Sequence, residues 1–282
     1  MKILLLGKGY IGNYIAANLS VKGELVHLNK ESLDYSDYET FHAFLKNNKF
    51  DWIINSSGYT GRPNVDACED DKEKCHLYNV TVPLYLTNVA NYHQTPIIHI
   101  GSGCIYTGYD KAYTEEDLSN FGADSPISSF YSKTKDTFEK LSRDMDRYIF
   151  RIRIPFNGIK EPKNYLYKLL NYNKLISSKN SITNVDGLVN MLPMFMSVKP
   201  ETGIYNVTNP GSIEAKEVVE IMKKHGLENP NWEFVSIPEA NFRVGRSNCI
   251  LDTSKLKDKI GIELTNVYDS VAEAVKQYAK KS

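Results

Sequence analysis

The sequence predicts an α/β protein, a doubly wound parallel sheet joined to a smaller C-terminal α/β lobe, and three observations support this. Short β-rich runs alternate with amphipathic helical stretches through the first half, as in strands linked by crossover helices. A glycine-rich turn, Gly7-Lys8-Gly9-Tyr10-Ile11-Gly12, stands between the first strand and the first helix. Beyond Pro155 the rhythm loosens into helices joined by Pro- and Asn-containing connections.

Taken in order, Met1 to Leu6 reads as a strand, about Tyr10 to Val21 as a helix and Glu24 to Leu28 as the second strand. A helix near Tyr38 to Asn47 and a strand at Asp51 to Asn55 complete a βαβαβ unit. One long helical stretch is expected from about Val65 to Tyr92. The strand Ile97 to Ile100 runs into Gly101-Ser102-Gly103-Cys104, a helix starts near Ser129, and Arg147 to Ile154 forms the next strand. After a turn at Lys160 to Lys163, helices are expected at Tyr165 to Tyr172 and Val185 to Ser197, the latter leading to a strand at Gly203 to Val207. Asn209-Pro210-Gly211 breaks the chain, and further helices cover about Ile213 to His225 and Asn266 to Lys280.

Bulk composition excludes several classes. The 282 residues can bury a sizeable core, 41% are hydrophobic, and 34 basic residues balance 34 acidic ones. That balance points to neither nucleic acid nor a membrane surface. Apolar runs such as Ile3 to Leu6 fall far below the roughly 20 residues of a membrane span, and no signal peptide is visible. Cys68, Cys75, Cys104 and Cys249 show neither zinc spacing nor disulfide density, so a reducing, cytoplasmic setting without metal is expected. The six histidines form no ligand spacing; His99 is expected in the core and His76 on a helix surface.

The glycine turn is the first feature with chemistry. In a Rossmann-type fold Gly7 permits the tight turn, Gly9 lets backbone approach a pyrophosphate, and Gly12 lets helix and strand pack closely, while the amides of Tyr10 and Ile11 face the anion. NAD-specific sites usually carry an acid at the end of strand 2, about 20 residues on. Leu28-Asn29-Lys30 stands there instead. With no carboxylate to repel a 2′-phosphate and Lys30 able to pair with one, NADPH is the expected cofactor, NADH staying open. Asp34 and Tyr35 are candidates for the adenine edge, and Asn55, Ser56, Ser57 and Gly58 at the end of strand 3 for the ribose side. The expected division is a dinucleotide-binding domain over 1–155 and a mainly substrate-binding lobe over 156–282, with about 182–208 returning to the first domain.

Tyr131 and Lys135 share a helix face at a spacing of four. A neighbouring ammonium favours the phenolate and eases proton transfer to a carbonyl oxygen. Ser102, just after a strand, can hydrogen-bond the same oxygen.

With the glycine turn, Ser102, Tyr131 and Lys135 in order, the chain resembles extended short-chain dehydrogenases/reductases along nearly its whole length. Ser57 to Asp66, containing Thr60-Gly61-Arg62-Pro63-Asn64-Val65-Asp66, then Cys68-Glu69 and Asn79, is similar to the dTDP-4-dehydrorhamnose reductase branch and to plant nucleotide-rhamnose 3,5-epimerase/4-reductases. Arg151 to Pro155, Gly203 to Gly211 and Arg246-Ser247-Asn248 agree. The resemblance implies inversion of C3 and C5 of a nucleoside-diphospho-4-keto-6-deoxyglucose, followed by reduction at C4.

Epimerisation needs two further proton-transfer groups. Cys104, two residues beyond Ser102, is the candidate base near the ketone. Lys168 matches the position where the epimerase/reductase relatives carry a lysine, and could protonate the opposite face. Arg246 is the leading diphosphate ligand because a guanidinium pairs with phosphate at two points. Arg62, Asn64 and Asn206 are further candidates for sugar or cofactor contacts. Resemblance to the plant enzymes favours UDP over dTDP, and implies a separate nucleotide-sugar 4,6-dehydratase as partner, since 282 residues leave no room for that activity. A homodimer is compatible with the sequence. A monofunctional 4-keto reductase and a catalytically silent nucleotide-binding regulatory subunit stay open as alternatives.

Overall fold

A computed structural model describes residues 1–61 and 64–281. Strands β1 (Lys2–Leu6), β2 (Glu24–Leu28) and β3 (Trp52–Asn55) alternate with helices α1 (Tyr10–Asn18) and α2 (Tyr38–Asn47). Then come α3 (Lys72–His76), α4 (Val82–Tyr92), β4 (Ile97–Ser102), β5 (Gly108–Tyr113), α5 (Phe130–Leu141) and β6 (Tyr148–Ile152). The second half holds α6 (Tyr165–Asn171), β7 (Lys174–Ile176), α7 (Val185–Val198), β8 (Gly203–Asn206), α8 (Ala215–Lys223), β9 (Glu233–Val235), β10 (Cys249–Leu251), α9 (Ser254–Ile260) and α10 (Val267–Lys280).

Six strands form one parallel sheet in the order β2-β1-β3-β4-β6-β8. Its two faces explain the continuous apolar runs. Ile3, Leu5, Trp52, Ile54 and Ile98 point to one side, where α7 supplies Leu188, Leu192 and Phe195. Leu4, Leu6, Ile53 and Ile97 point to the other, against Phe41 and Leu45 of α2 and Leu86 and Val89 of α4. Alternation by two therefore places apolar side chains on both faces, each fully buried one contributing roughly 1.5–3 kcal/mol. Helix α7 and strand β8 bring residues 185–206 into this sheet. Leu166, Leu169, Val218, Val219, Val271 and Val275 form a separate hydrophobic cluster in the second half of the chain.

Several elements differ from expectation. The single helix expected over 65–92 is a short 3₁₀ turn at Val65–Cys68, then α3, a π-type turn at Leu77–Thr81 and α4. Asp71 leaves helical geometry and its carboxylate accepts from the Lys74 amide at 3.2 Å, starting a new helix. The wide turn then directs Asn79 inward, where its side chain bonds both the amide and the carbonyl of Tyr59, at 3.0 and 2.8 Å. The strand expected to reach Ile154 stops at Ile152, and Ile154 takes a φ of 40° before Pro155. Strands β5, β7, β9 and β10 and helix α9 were not anticipated; β10 pairs with β5 and β7 with β9. No helix among the described residues is long and apolar enough to cross a membrane.

Candidate active site

The glycine turn is tied down from three sides. Gly7 has a φ of 99° and its amide donates to the Leu28 carbonyl at 2.9 Å. Ser56 Oγ donates to the carbonyls of Leu6 and Gly7, at 2.8 and 3.1 Å. A Cβ at Gly12 would stand 2.0 Å from the Gly7 oxygen, so packing alone demands glycine there. At Gly9 a Cβ would meet nothing within 4 Å. Packing does not explain that glycine, whereas close approach of a ligand does. Helix α1 has no side-chain cap, and its first internal bond runs from the Asn13 amide to the Gly9 carbonyl. The preceding amides of Tyr10, Ile11 and Gly12 thus have no acceptor within the helix, and the turn fits a dinucleotide pyrophosphate. The Tyr10 hydroxyl faces inward and donates to Asn157 Oδ1 at 2.9 Å, and Ile11 packs on the sheet core.

At the end of β2, Lys30 Nζ donates to the Tyr78 hydroxyl at 2.6 Å, a contact that holds its ammonium above its ordinary range. Asn29 accepts from the Ser32 amide at 3.2 Å, and exposed Asp34 accepts from the Ser36 amide at 3.2 Å. Tyr35, expected at the adenine edge, instead lies in the core beside Leu4 and Leu6 and is only 5% exposed. Its bulky ring is drawn off the surface by the apolar face of the sheet. Ser57 donates its amide and hydroxyl to Asn55 Oδ1, at 3.0 and 2.5 Å. At Gly58 a Cβ would stand 3.6 Å from Lys135 Nζ, placing the lysine against this loop.

Ser102, Tyr131, Lys135 and Cys104 are gathered where β4 ends against α5. Ser102 Oγ accepts from the Cys104 amide at 3.2 Å, which leaves its hydroxyl proton to donate elsewhere. Lys135 Nζ stands 5.7 Å from the centre of the Tyr131 ring. Burial, then the Cys104 thiol, pushes the Tyr131 phenol above its ordinary range, the Ser102 hydroxyl acting the other way. Burial pushes Lys135 down, opposed by Cys75 and Glu139. Desolvation is the largest influence on this phenol. A raised phenol favours the protonated form, the state needed to give a proton to a carbonyl oxygen.

Cys104 is half-buried, while Cys68, Cys75 and Cys249 are fully buried. Lys168, half-buried on α6, is pushed below its ordinary range by burial and then by Lys163. Lys163 Nζ donates to Thr60 Oγ1 at 3.2 Å, bringing this end of α6 to the loop after β3. No hydrogen bond joins Lys168 to Cys104 among the described residues. Arg246 forms a two-point pair with Asp66, both contacts at 2.8 Å, and stacks 4.0 Å from the Phe242 ring centre.

Asn64 caps the 3₁₀ turn, accepting from the Asp66 amide at 2.9 Å. Asn206, expected at the sugar or cofactor, is instead fully buried and donates to the carbonyls of Tyr113 and Asp252, at 3.0 and 2.9 Å. It joins β8 to β5 because the β8 end is covered by those segments. Arg62, expected as another contact, lies outside the described residues.

Sequence reasoning missed three polar hubs. Asn79 Nδ2 reaches Cys75 Sγ and Thr134 Oγ1, both at 3.3 Å, behind Lys135. Hydrogen bonds from Cys68, Thr134 and Asn79 hold the Cys75 thiol below its ordinary range. Asn157 joins Tyr10 to Asn164, the cap of α6. Arg153 is 1% exposed and contacts Gly103, Asn180 and Ser247. Asn79, after Cys68-Glu69, and Arg153, within Arg151 to Pro155, lay in segments that carry the resemblance, whereas Asn157 left no local signal.

Comparisons with known proteins show the family of the chain. A trifunctional UDP-glucose 4,6-dehydratase/UDP-4-keto-6-deoxy-D-glucose 3,5-epimerase/UDP-4-keto-L-rhamnose-reductase of Arabidopsis thaliana is 32% identical over 96% of this chain, which covers 41% of that protein. The chain thus spans about two-fifths of the length of such relatives. A bifunctional dTDP-4-dehydrorhamnose 3,5-epimerase/dTDP-4-dehydrorhamnose reductase of the same plant is 31% identical, with 99% of this chain and 94% of that protein covered. The crystal structure of a UDP-rhamnose synthase from Acanthamoeba polyphaga mimivirus superposes with a TM-score of 0.89 at 26% identity, covering 98% of this chain and 99% of that one. A family model described as the RmlD substrate binding domain matches residues 1–280, and the chain belongs to that family.

Proposed function

We propose that this chain is a bifunctional 3,5-epimerase/4-reductase that converts UDP-4-keto-6-deoxy-D-glucose to UDP-L-rhamnose with NADPH. The observation that carries the reading is the placement of a half-buried cysteine, Cys104, at the strand end shared with Ser102, close to Tyr131. Reduction alone needs no such thiol. The names of the plant and viral relatives support the same pair of activities and favour UDP.

Residues 1–155, with about 182–208, hold the dinucleotide, and the remainder holds the sugar nucleotide. When bound, the nicotinamide supplies a hydride to C4. Ser102 and Tyr131 address the C4 carbonyl oxygen. Cys104 Sγ, once ionised, takes a proton α to that carbonyl, and the C–H electrons pass into an enolate whose oxygen is hydrogen-bonded by Ser102 and Tyr131. Lys168 returns a proton from the opposite face, inverting the centre. Because the ketone acidifies both C3 and C5, one pair of groups serves both. In the later reduction Tyr131 gives its proton to the C4 oxygen, and Lys135 stabilises the resulting phenolate. Arg246 takes the diphosphate, exchanging its Asp66 partner for phosphate oxygens. The substrate itself comes from a nucleotide-sugar 4,6-dehydratase activity, the proposed setting being cytoplasmic.

The decisive experiment supplies UDP-4-keto-6-deoxyglucose and NADPH in deuterated water. We expect a rhamnose product labelled at C3 and C5. An unlabelled 6-deoxyhexose with the starting configuration at those carbons overturns epimerisation and leaves a 4-reductase.

A further inference from the structure

Arg153 is the largest of the fully buried side chains, 1% exposed, and no carboxylate lies within ion-pair distance of it among the described residues. Its two terminal nitrogens are satisfied by neutral acceptors, whereas the buried Nε has no partner among the described residues. Nη1 donates to the Gly103 carbonyl at 2.9 Å and to Ser247 Oγ at 2.7 Å, and Nη2 donates to Asn180 Oδ1 and to the Ser247 carbonyl at 3.1 Å. A buried guanidinium without a counter-charge is costly, so a cheaper residue would serve if filling space were its only role.

The two segments it joins carry different parts of the proposed site. Gly103 immediately precedes Cys104, and Ser247 immediately follows Arg246. The fit is close at both ends. A Cβ at Gly103 would stand 3.1 and 3.2 Å from the arginine Cγ and Cδ, so the strand end runs directly along the arginine stem. Ser247 Oγ in turn donates to the Tyr106 carbonyl at 2.5 Å. The arginine backbone is fixed as well, its amide donating to Thr183 Oγ1 at 3.0 Å and its carbonyl accepting from the Thr183 amide at 2.8 Å. Immediately beyond it, β-branched Ile154 holds a left-handed φ of 40°, a strained conformation that persists only where its surroundings over-determine it.

We propose that Arg153 is a positioning residue that sets the register between Cys104 and Arg246, and hence between the sugar ring and the diphosphate of one ligand. This rests on the assignment of Cys104 and Arg246 to the nucleotide sugar. The covalent length from diphosphate to sugar carbons is fixed, so the two protein groups must keep a matching separation. Misplacement by about 1 Å can cost a hundredfold in rate.

The test uses alkylation by iodoacetamide, which reports on Cys104 because the other three cysteines are fully buried. In wild-type enzyme with NADPH, saturating UDP-glucose is expected to slow alkylation of Cys104 by at least about tenfold, since sugar and diphosphate are held in register. In Arg153→Met, UDP-glucose still binds, but protection drops below about threefold and kcat falls by up to about a hundredfold, while KM for NADPH stays unchanged. Arg153→Lys keeps the charge yet stays impaired, because one ammonium cannot reproduce the fork.

Full protection with unaltered kcat in Arg153→Met overturns the proposal. Should that variant fail to fold, Ser247→Ala decides on the same scale: partial loss of protection supports the register role and complete protection overturns it. No protection in the wild type overturns the placement of the sugar at Cys104, and the register with it. Deuterium uptake is a separate readout; its absence with protection intact removes the epimerase chemistry and leaves the positioning role standing.

Discussion

His99 has one hydrogen-bonding state open to it. Asn55 Oδ1 is taken by the Ser57 amide and hydroxyl, so Asn55 Nδ2 points at His99 Nδ1, 3.0 Å away, and that nitrogen must accept. Nε2 therefore carries the proton and donates to Thr87 Oγ1 at 2.9 Å, which itself donates to the Pro83 carbonyl at 2.7 Å. A second proton would set two donors face to face inside a buried site, and burial pushes the imidazole down to about 3. The unfolded chain titrates near 6.5. The unfolded state thus binds the extra proton first, so stability from this residue is complete above about pH 6.5 and declines as pH falls toward 3, by about 1.4 kcal/mol per unit. Denaturation of wild type and His99→Gln across this range should show the wild-type advantage shrinking by about 2 kcal/mol between pH 6.5 and 5. Parallel curves would sink this account of the Asn55–His99–Thr87 chain.

At the scale of elements, the two glycines of the turn separate packing from ligand contact. Gly12→Ala must displace the Gly7 carbonyl, 2.0 Å from the new Cβ, and is expected to cost about 1–3 kcal/mol in stability. Gly9→Ala meets open space and should leave stability within about 0.5 kcal/mol, while weakening NADPH at least about tenfold by blocking backbone approach to the pyrophosphate. Thermal melts with fluorescence titration of NADPH check both; unchanged NADPH affinity in Gly9→Ala would refute the assignment.

These features were legible because strand, turn and helix follow one another locally, as were Tyr131 and Lys135 through their spacing. Strands β7, β9 and β10 have three residues each and exist through partners far along the chain, Glu233 pairing with Lys174 and Cys249 with Gly108, so no local period announces them. Val65 to Tyr92 read as one helix because apolar spacing survives the break, whereas the Asp71 cap and the inward turn of Asn79 depend on Tyr59 and Thr134. The burial of Tyr35 and Asn206 was not legible for the opposite reason, both being polar-tipped residues near a motif whose surroundings are core.

Across the whole molecule, the dinucleotide turn and the helix bearing Lys168 are mechanically joined. Tyr10 begins α1, and its hydroxyl donates to Asn157 Oδ1 at 2.9 Å; Asn164 Nδ2 donates to that same oxygen at 3.0 Å and to the Asn157 carbonyl at 2.8 Å. Asn164 caps α6, its Oδ1 accepting from the Leu166 amide at 2.9 Å and its carbonyl from the Lys168 amide at 3.0 Å. Tyr10 and Asn164 thus share one acceptor oxygen, so movement of α1 bears directly on the cap of α6. Ordering of α1 by a bound pyrophosphate should then pass to the first turn of α6. Coupling of about 1–3 kcal/mol corresponds to roughly 5–150-fold, so saturating NADPH is expected to slow amide hydrogen exchange at Leu166 and Lys168 by at least about fivefold. Tyr10→Phe removes only the hydroxyl and should abolish that slowing while NADPH still binds. If exchange in α6 responds equally in the variant, the two lobes communicate by another route, and Lys168 is positioned independently of the cofactor.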